Sequence, residues 1–349
     1  VRYATLLLLA ACGAPEFGER DQHFFLDHEG VSMPVWVTGN WQSGRILVVT
    51  HGGPGTTNAV YHQKESFQRL AEDVGIVYWE QRASGSSHGL RRERLTATQF
   101  VEDHGILFDV LEHRFPDARF TLMGHSWGGH FAPRYLLESG DQDRVEGLIE
   151  MNGSHDSSCV GWQDSVDDVL AHAADVLAGD PTRRERRYWE GAIDFYDEVW
   201  RCDHETNENN QIEPYQGRRV HLWHSLYIRE SGGYDVDPDL VLNGADTTEL
   251  LFGTQYDLYA VTQHSPLPLE EYYGVDLTPR LGEITVPTQV IWGRFDRITH
   301  WRHAEPAFEA YGADDKEIVW FENSGHNPWA EEQDRFYDAV TAFLDRVMP

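Results

Sequence analysis

The chain has 349 residues, with 40% hydrophobic and 12% aromatic side chains, and 58 acidic against 28 basic groups for a formal charge of -30. That length can bury a sizeable core, and the composition excludes a disordered chain. The charge excludes nucleic acid as a partner, because phosphates would be repelled, and an acidic surface of this kind reads as solvated, favouring solubility or salt tolerance.

Residues 1–21 stand apart. Arg2 is followed by Ala4-Thr5-Leu6-Leu7-Leu8-Leu9-Ala10-Ala11 and then Cys12-Gly13. The apolar run is far shorter than the ~20 residues a spanning helix needs. A positive residue, a short apolar stretch and small residues at its end read as a secretory signal. Leu9-Ala10-Ala11-Cys12 also resembles the bacterial lipoprotein box, which implies export, lipidation of Cys12 and a polar tether over residues 13–21. The plainer alternative is an apolar tail with an incidental cysteine on a cytoplasmic protein. Any membrane contact is then expected only through that N-terminal lipid, and nothing in the pattern assigns an oligomeric state.

From residue 22 the chain alternates. Residues 23–26 and 31–37 read as two strands of an opening hairpin. Arg45-Ile46-Leu47-Val48-Val49-Thr50 is a continuous apolar run of the kind buried in a parallel sheet. A helix is predicted over 66–73 and a strand over 75–79. Thr96 opens a helix that ends near Pro116, with Phe100, Ile106, Leu107, Val110 and Leu111 on one face. Further strands are predicted at 119–122 and 145–151, with a helix over 127–139 between them. The rhythm then breaks. Residues 154–283 are rich in Trp, Tyr, Asp and His, and within them 183–201 carries Trp189, Ile193, Tyr196 and Trp200 at helical spacing. Strands resume at 286–292 and 317–321, and a closing helix is predicted over 329–347. Strands alternating with helices imply a mostly parallel sheet covered on both faces. The expected organisation is a signal and tether at 1–21, a core in two parts at 22–153 and 286–349, and an inserted, mainly helical cap at 154–285.

The chemistry centres on Gly124-His125-Ser126-Trp127-Gly128, set between a predicted strand and a predicted helix. Strand, G-x-S-x-G, helix resembles the nucleophile elbow of the α/β-hydrolases. The turn is so tight that side chains two places before or after the serine would clash, and Gly124 and Gly128 remove them. The strain lifts Ser126 Oγ clear of the sheet. His51-Gly52-Gly53-Pro54-Gly55 directly follows a strand. In this fold such a loop lends a backbone N–H to the oxyanion hole, so the expected donors are Gly53 and Trp127. Asp296, in Gly293-Arg294-Phe295-Asp296, and His326, in Ser324-Gly325-His326, both follow predicted strand ends. A carboxylate at the first position can fix the tautomer of a histidine at the second, which can take and return the serine proton. The order Ser126, Asp296, His326 is the one this fold requires. No HExxH or paired-cysteine spacing suggests a metal.

His51-Gly52-Gly53-Pro54-Gly55, Glu80-Gln81-Arg82-Ala83-Ser84-Gly85-Ser86-Ser87 and Gly124-His125-Ser126-Trp127-Gly128-Gly129 together resemble the proline iminopeptidase branch of the α/β-hydrolases. Glu80 and Ala83 stand where that family usually has Asp and Gly. Trp189-Glu190-Gly191-Ala192 and Phe195-Tyr196 with Cys202 are similar to pieces of the family's cap motifs. The resemblance implies release of an N-terminal residue, often proline, from a peptide, with no metal or organic cofactor. An aminopeptidase must hold a protonated α-amine, and cap carboxylates are the natural means. Glu190 is the first candidate, followed by Glu230 and Asp257. Glu190, Asp194 and Asp197 share one helical face, which equally reads as the solvated side of an amphipathic helix. A carboxylesterase or lipase acting on small esters would use the same triad, so it stays open beside the peptidase. Cys159 and Cys202 are either a cap disulfide, in an oxidising compartment, or two buried thiols.

Overall fold

The computed structural model describes residues 21–53, 55–89, 95–199, 275–296 and 298–349. The chain opens with the hairpin β1 (Gln22–His28) and β2 (Val31–Gly39), then β3 (Arg45–Thr50). Next come α1 (Ala59–His62), α2 (Glu65–Asp73), β4 (Gly75–Trp79), α3 (Ala97–Arg114), β5 (Arg119–His125), α4 (Trp127–Ser139) and β6 (Gly147–Met151). Two long helices, α5 (Cys159–Ala178) and α6 (Arg183–Val199), lie in the expected insert. After it come β7 (Thr288–Gly293), α7 (Ala304–Ala310), β8 (Lys316–Phe321), α8 (Pro328–Glu331) and α9 (Gln333–Val347).

The strands form one eight-stranded sheet in the order β1-β2-β4-β3-β5-β6-β7-β8. The β1–β2 and β2–β4 pairs are antiparallel, and every pair from β4 to β8 is parallel. Both parts of the chain flanking the insert therefore share one sheet. The apolar runs of the central strands follow from two covered faces. In β3, Ile46 and Val48 join Leu107, Phe108 and Tyr135 on one side. Leu47 and Val49 turn the other way, to Phe67, Phe336 and Phe343. Each such side chain contributes about 1.5–3 kcal/mol of burial, which is why a run of five apolar or neutral positions is kept in β3.

The chain reverses its direction of growth at β3, with β4 on one side and β5 on the other. In open α/β sheets the crevice outside such a switch point, at the carboxyl ends of the strands, is where ligands bind. His51 leaves β3 there and Ser126 leaves β5. Two expectations differ from the structure. The closing helix is broken into α8 and α9, with Glu332 between them outside helical geometry (φ -124°, ψ 63°). Helix α5 has no counterpart in the sequence reading, because its apolar positions are interspersed with acidic and small residues along its whole length.

Candidate active site

Ser126 occupies φ 56° and ψ -117° at the junction of β5 and α4. That conformation costs a non-glycine residue of order 1–3 kcal/mol, so its surroundings must hold it. The Ser126 N–H donates to Met151 O at 3.0 Å. Its carbonyl accepts from the Ser154 N–H at 3.1 Å and from Ser154 Oγ at 3.0 Å. Both backbone groups of the strained residue are thus fixed to the chain leaving β6. A Cβ on Gly124 would fall on the Gly128 carbonyl, and one on Gly128 on the Thr50 carbonyl, so both glycines are sterically required.

The loop after β3 packs directly on this turn. A Cβ placed on Gly52 would sit 3.3 Å from Ser126 Cβ. The Gly52 N–H donates to Tyr61 Oη at 3.0 Å, and Gly53 is the next amide of the loop. Gly53 has φ 145°, and a Cβ there would meet Gly55 N at 2.8 Å. Trp127 opens α4, so its amide lies at the positive end of the helix. Its indole Nε1–H donates to Gln81 Oε1 at 3.2 Å, and Gln81 in turn donates from Nε2 to His51 O at 3.0 Å.

Asp296 and His326 meet in the structure. His326 Nδ1 donates to Asp296 Oδ2 at 2.9 Å, and Asp296 is wholly buried. The same oxygen lies 2.5 Å from Asn152 Nδ2 and 2.8 Å from Thr299 Oγ1. Oδ1 accepts from the Ile298 N–H at 2.8 Å and the Thr299 N–H at 3.2 Å. Burial pushes the Asp296 carboxyl upward, but the His326 charge and the hydrogen bonds from His326, Asn152 and Thr299 outweigh it, and its pKa ends below the usual value. A carboxylate that stays ionised keeps the proton on His326 Nδ1 and leaves the Nε2 lone pair available as a base.

Four of these partners were not singled out from the sequence. Gln81 lies inside a quoted motif, where Glu80 and Ala83 carry the comparison with the family, and Tyr61 lies outside every quoted motif. Asn152 has φ 45°, and Asn before Gly at a strand end is the local signal for such a turn. Thr299 stands three places after Asp296, the spacing at which a carboxylate caps the following N–H groups.

Helix α5 is fastened beside this acid loop. His303 Nε2 donates to Gly161 O at 2.7 Å, and His300 Nε2 lies 2.9 Å from Asp168 Oδ2. Helix α6 packs on α5 through Trp189, which is fully buried and edge-on to His172 at 4.8 Å between ring centroids. Glu190 and Asp194 are exposed, and Glu190 Oε1 lies 3.8 Å from Arg186 Nη1 on the same helix. Cys12, Cys202, Glu230 and Asp257 lie outside the described residues. Among the described residues, no group of three or more His, Cys, Asp or Glu could hold a metal ion, and no helix is long and apolar enough to cross a membrane.

Comparison with known proteins agrees with this architecture. The family model described as "Alpha/beta hydrolase family" matches residues 46–339. The probable aminopeptidase YbaC of Bacillus subtilis is 23% identical over 302 residues, covering 85% of this chain and 87% of that protein. A proline iminopeptidase of Saccharolobus solfataricus is 24% identical over 314 residues, covering 87% and 86%. Among solved structures, proline iminopeptidase from Mycobacterium smegmatis superposes with a TM-score of 0.58 at 19% identity, covering 93% of this chain and 98% of that one, a likeness of fold. With most of its length matched by the family model and the eight-stranded sheet in place, the chain belongs to the alpha/beta hydrolase family.

Proposed function

We propose that this hydrolase is a serine hydrolase with the triad Ser126, His326 and Asp296, and that it acts as an aminopeptidase of the proline iminopeptidase type. The observation that carries the triad is the 2.9 Å bond between His326 Nδ1 and buried Asp296 Oδ2, formed by loops at the same sheet end as strained Ser126. Ser126 Oγ attacks the carbonyl carbon of the first peptide bond while His326 Nε2 takes its proton. The oxyanion is held by the amides of Gly53 and Trp127. His326 then gives the proton to the leaving amine, and an acyl-enzyme remains. A water deprotonated by His326 releases the free N-terminal residue and restores Ser126.

The peptidase reading is supported by the three quoted motifs and by the names of the two relatives that cover most of the chain. The exposure of Glu190 and its pairing with Arg186 favour a second reading, in which the acyl group is uncharged and the substrate a small ester. A panel separates them: dipeptides and aminoacyl amides with a free α-amine, the same compounds N-acetylated, and short-chain esters. The aminopeptidase cleaves the first set and loses activity on acetylation. Turnover of esters together with indifference to the free amine establishes the esterase.

A further inference from the structure

The residue before the nucleophile has two strong partners, one on either side. Tyr61 Oη lies 2.7 Å from His125 Nδ1, and His125 Nε2 lies 2.8 Å from the carbonyl oxygen of His326. Tyr61 Oη also accepts from the Gly52 N–H at 3.0 Å. All of these groups are buried except His326, which is partly so.

Proton bookkeeping gives this chain one direction. The His326 carbonyl can only accept, so His125 Nε2 carries the proton. Nδ1 of a neutral ring then holds a lone pair, and Tyr61 must donate to it. The Tyr61 oxygen keeps lone pairs for the Gly52 amide, which can only donate. Every donor meets an acceptor. Burial, followed by the charge of His326, holds the His125 pKa down at about 3, and burial pushes the Tyr61 hydroxyl up, so neither group ionises near neutral pH.

We propose that His125 is a positioning residue that keeps the oxyanion loop and the base loop in register across the nucleophile. Through Tyr61 it holds Gly52, next to the donor Gly53; through the carbonyl of His326 it holds the backbone that carries the base. The His125 and His326 rings lie 4.9 Å apart, so the support reaches the base ring as well. Catalysis needs the oxyanion donors and the base placed together around one serine, and an error near 1 Å costs about a hundredfold. A residue adjacent to Ser126 in the chain, gripping both loops, sets those distances from the nucleophile itself. The inference rests on the serine-hydrolase reading and adds to it a residue that touches no substrate.

The test uses full-length protein with His125→Phe, His125→Gln, Tyr61→Phe and the His125→Phe/Tyr61→Phe pair, beside Ser126→Ala. His125→Phe should lower kcat by about ten- to a hundredfold with KM nearly unchanged. His125→Gln can offer its amide N–H to the His326 carbonyl and should recover part of that loss. Tyr61→Phe, which keeps the ring, should lower kcat less, and the pair should be no worse than His125→Phe alone, because one chain of bonds is broken either way. Should His125→Phe not fold, the Tyr61→Phe kinetics and the imidazole ¹⁵N spectrum carry the test. That spectrum should show His125 as the neutral Nε2–H tautomer from pH 5 to 8. Additive losses, no advantage of Gln over Phe, a change in KM alone, or an Nδ1–H tautomer would overturn the proposal. A fully active Ser126→Ala would instead remove the serine-hydrolase reading, and the ¹⁵N spectrum would still report the bond chain.

Discussion

The side-chain amide of Asn152 lies 2.5 Å from Asp296 Oδ2, joining the end of β6 to the acid loop after β7. Asn152 also reaches the Gly325 carbonyl at 3.2 Å, so one amide braces both Asp296 and the loop that carries His326. Asn152→Gly retains a residue that accepts φ 45° but removes the amide. A hydrogen bond to a charged group is worth about 1.5–3 kcal/mol, so kcat/KM should fall roughly ten- to a hundredfold. Steady-state kinetics at neutral pH on the best substrate of the panel checks this.

Asp296→Asn should be far more damaging. An amide in place of the carboxylate can donate as well as accept, and the preferred His326 tautomer then puts the proton on Nε2, where the base is needed. The loss in kcat expected from the wrong tautomer is about 10⁴. His326→Ala should lose a similar amount, and the double variant should be little worse than either single one, because the groups act as a unit.

Acid should begin to destabilise the protein before its carboxylates protonate. Burial holds His51 and His104 down at about 4, and His125 and His130 at about 3, against the ordinary 6.5. Between those values the unfolded chain binds protons that the folded chain refuses. Their contribution to stability is therefore complete above pH 6.5 and falls as the pH drops, by about 1.4 kcal/mol per group per pH unit. His28, raised chiefly by its bond to Asp103, and His155, which Glu150 raises against burial, act in the opposite sense and offset part of it. The lowered set is larger, so Tm should drop steadily from pH 7 to pH 5. A thermal melt series across that range checks the sign.

The elbow glycines give a stability prediction. Gly128→Ala would drive a methyl group onto the Thr50 and His51 carbonyls, which belong to β3 and its loop and are fixed in the sheet. Overpacking of this kind costs about 1–3 kcal/mol or more. Gly140→Ala is the control for Cβ crowding, since nothing lies within 4 Å of a Cβ there, although its φ of 74° adds strain. Chemical denaturation should rank Gly128→Ala below Gly140→Ala, with activity lost in the first alone.

Glu190→Gln tests the amine site. If Glu190 meets the α-amine when substrate is bound, kcat/KM for substrates with a free amine should fall by about 1.5–3 kcal/mol while p-nitrophenyl acetate hydrolysis is nearly unchanged. Equal loss on both, or none on either, removes Glu190 from the site and favours the esterase.

Most of the sheet was legible because its signal is local. Strands buried on both faces read as apolar runs, and β3, β4 and β7 stand out on that ground alone. The elbow was legible because its backbone demands glycines at fixed offsets from Ser126. The meeting of Asp296 with His326 could be anticipated among many acids and histidines because both follow strand ends in the chain order the fold would require. What escaped were side chains whose role depends on distant partners. Asn152 meets Asp296 across 144 positions of sequence and Tyr61 meets His125 across 64, and no periodicity encodes such meetings. Helix α5 escaped because only some of its residues turn inward, and its partners, α6 and the loop after β7, come later in the chain.

The central claim is that Ser126 is the nucleophile. Full-length protein treated with a fluorophosphonate, digested and sequenced by mass spectrometry tests it most directly. The adduct should fall on the peptide containing Gly124-His125-Ser126-Trp127-Gly128, at Ser126, with activity lost in proportion to labelling and no adduct on Ser126→Ala. Stoichiometric labelling at another serine with Ser126 unmodified, or full labelling with activity retained, would contradict it.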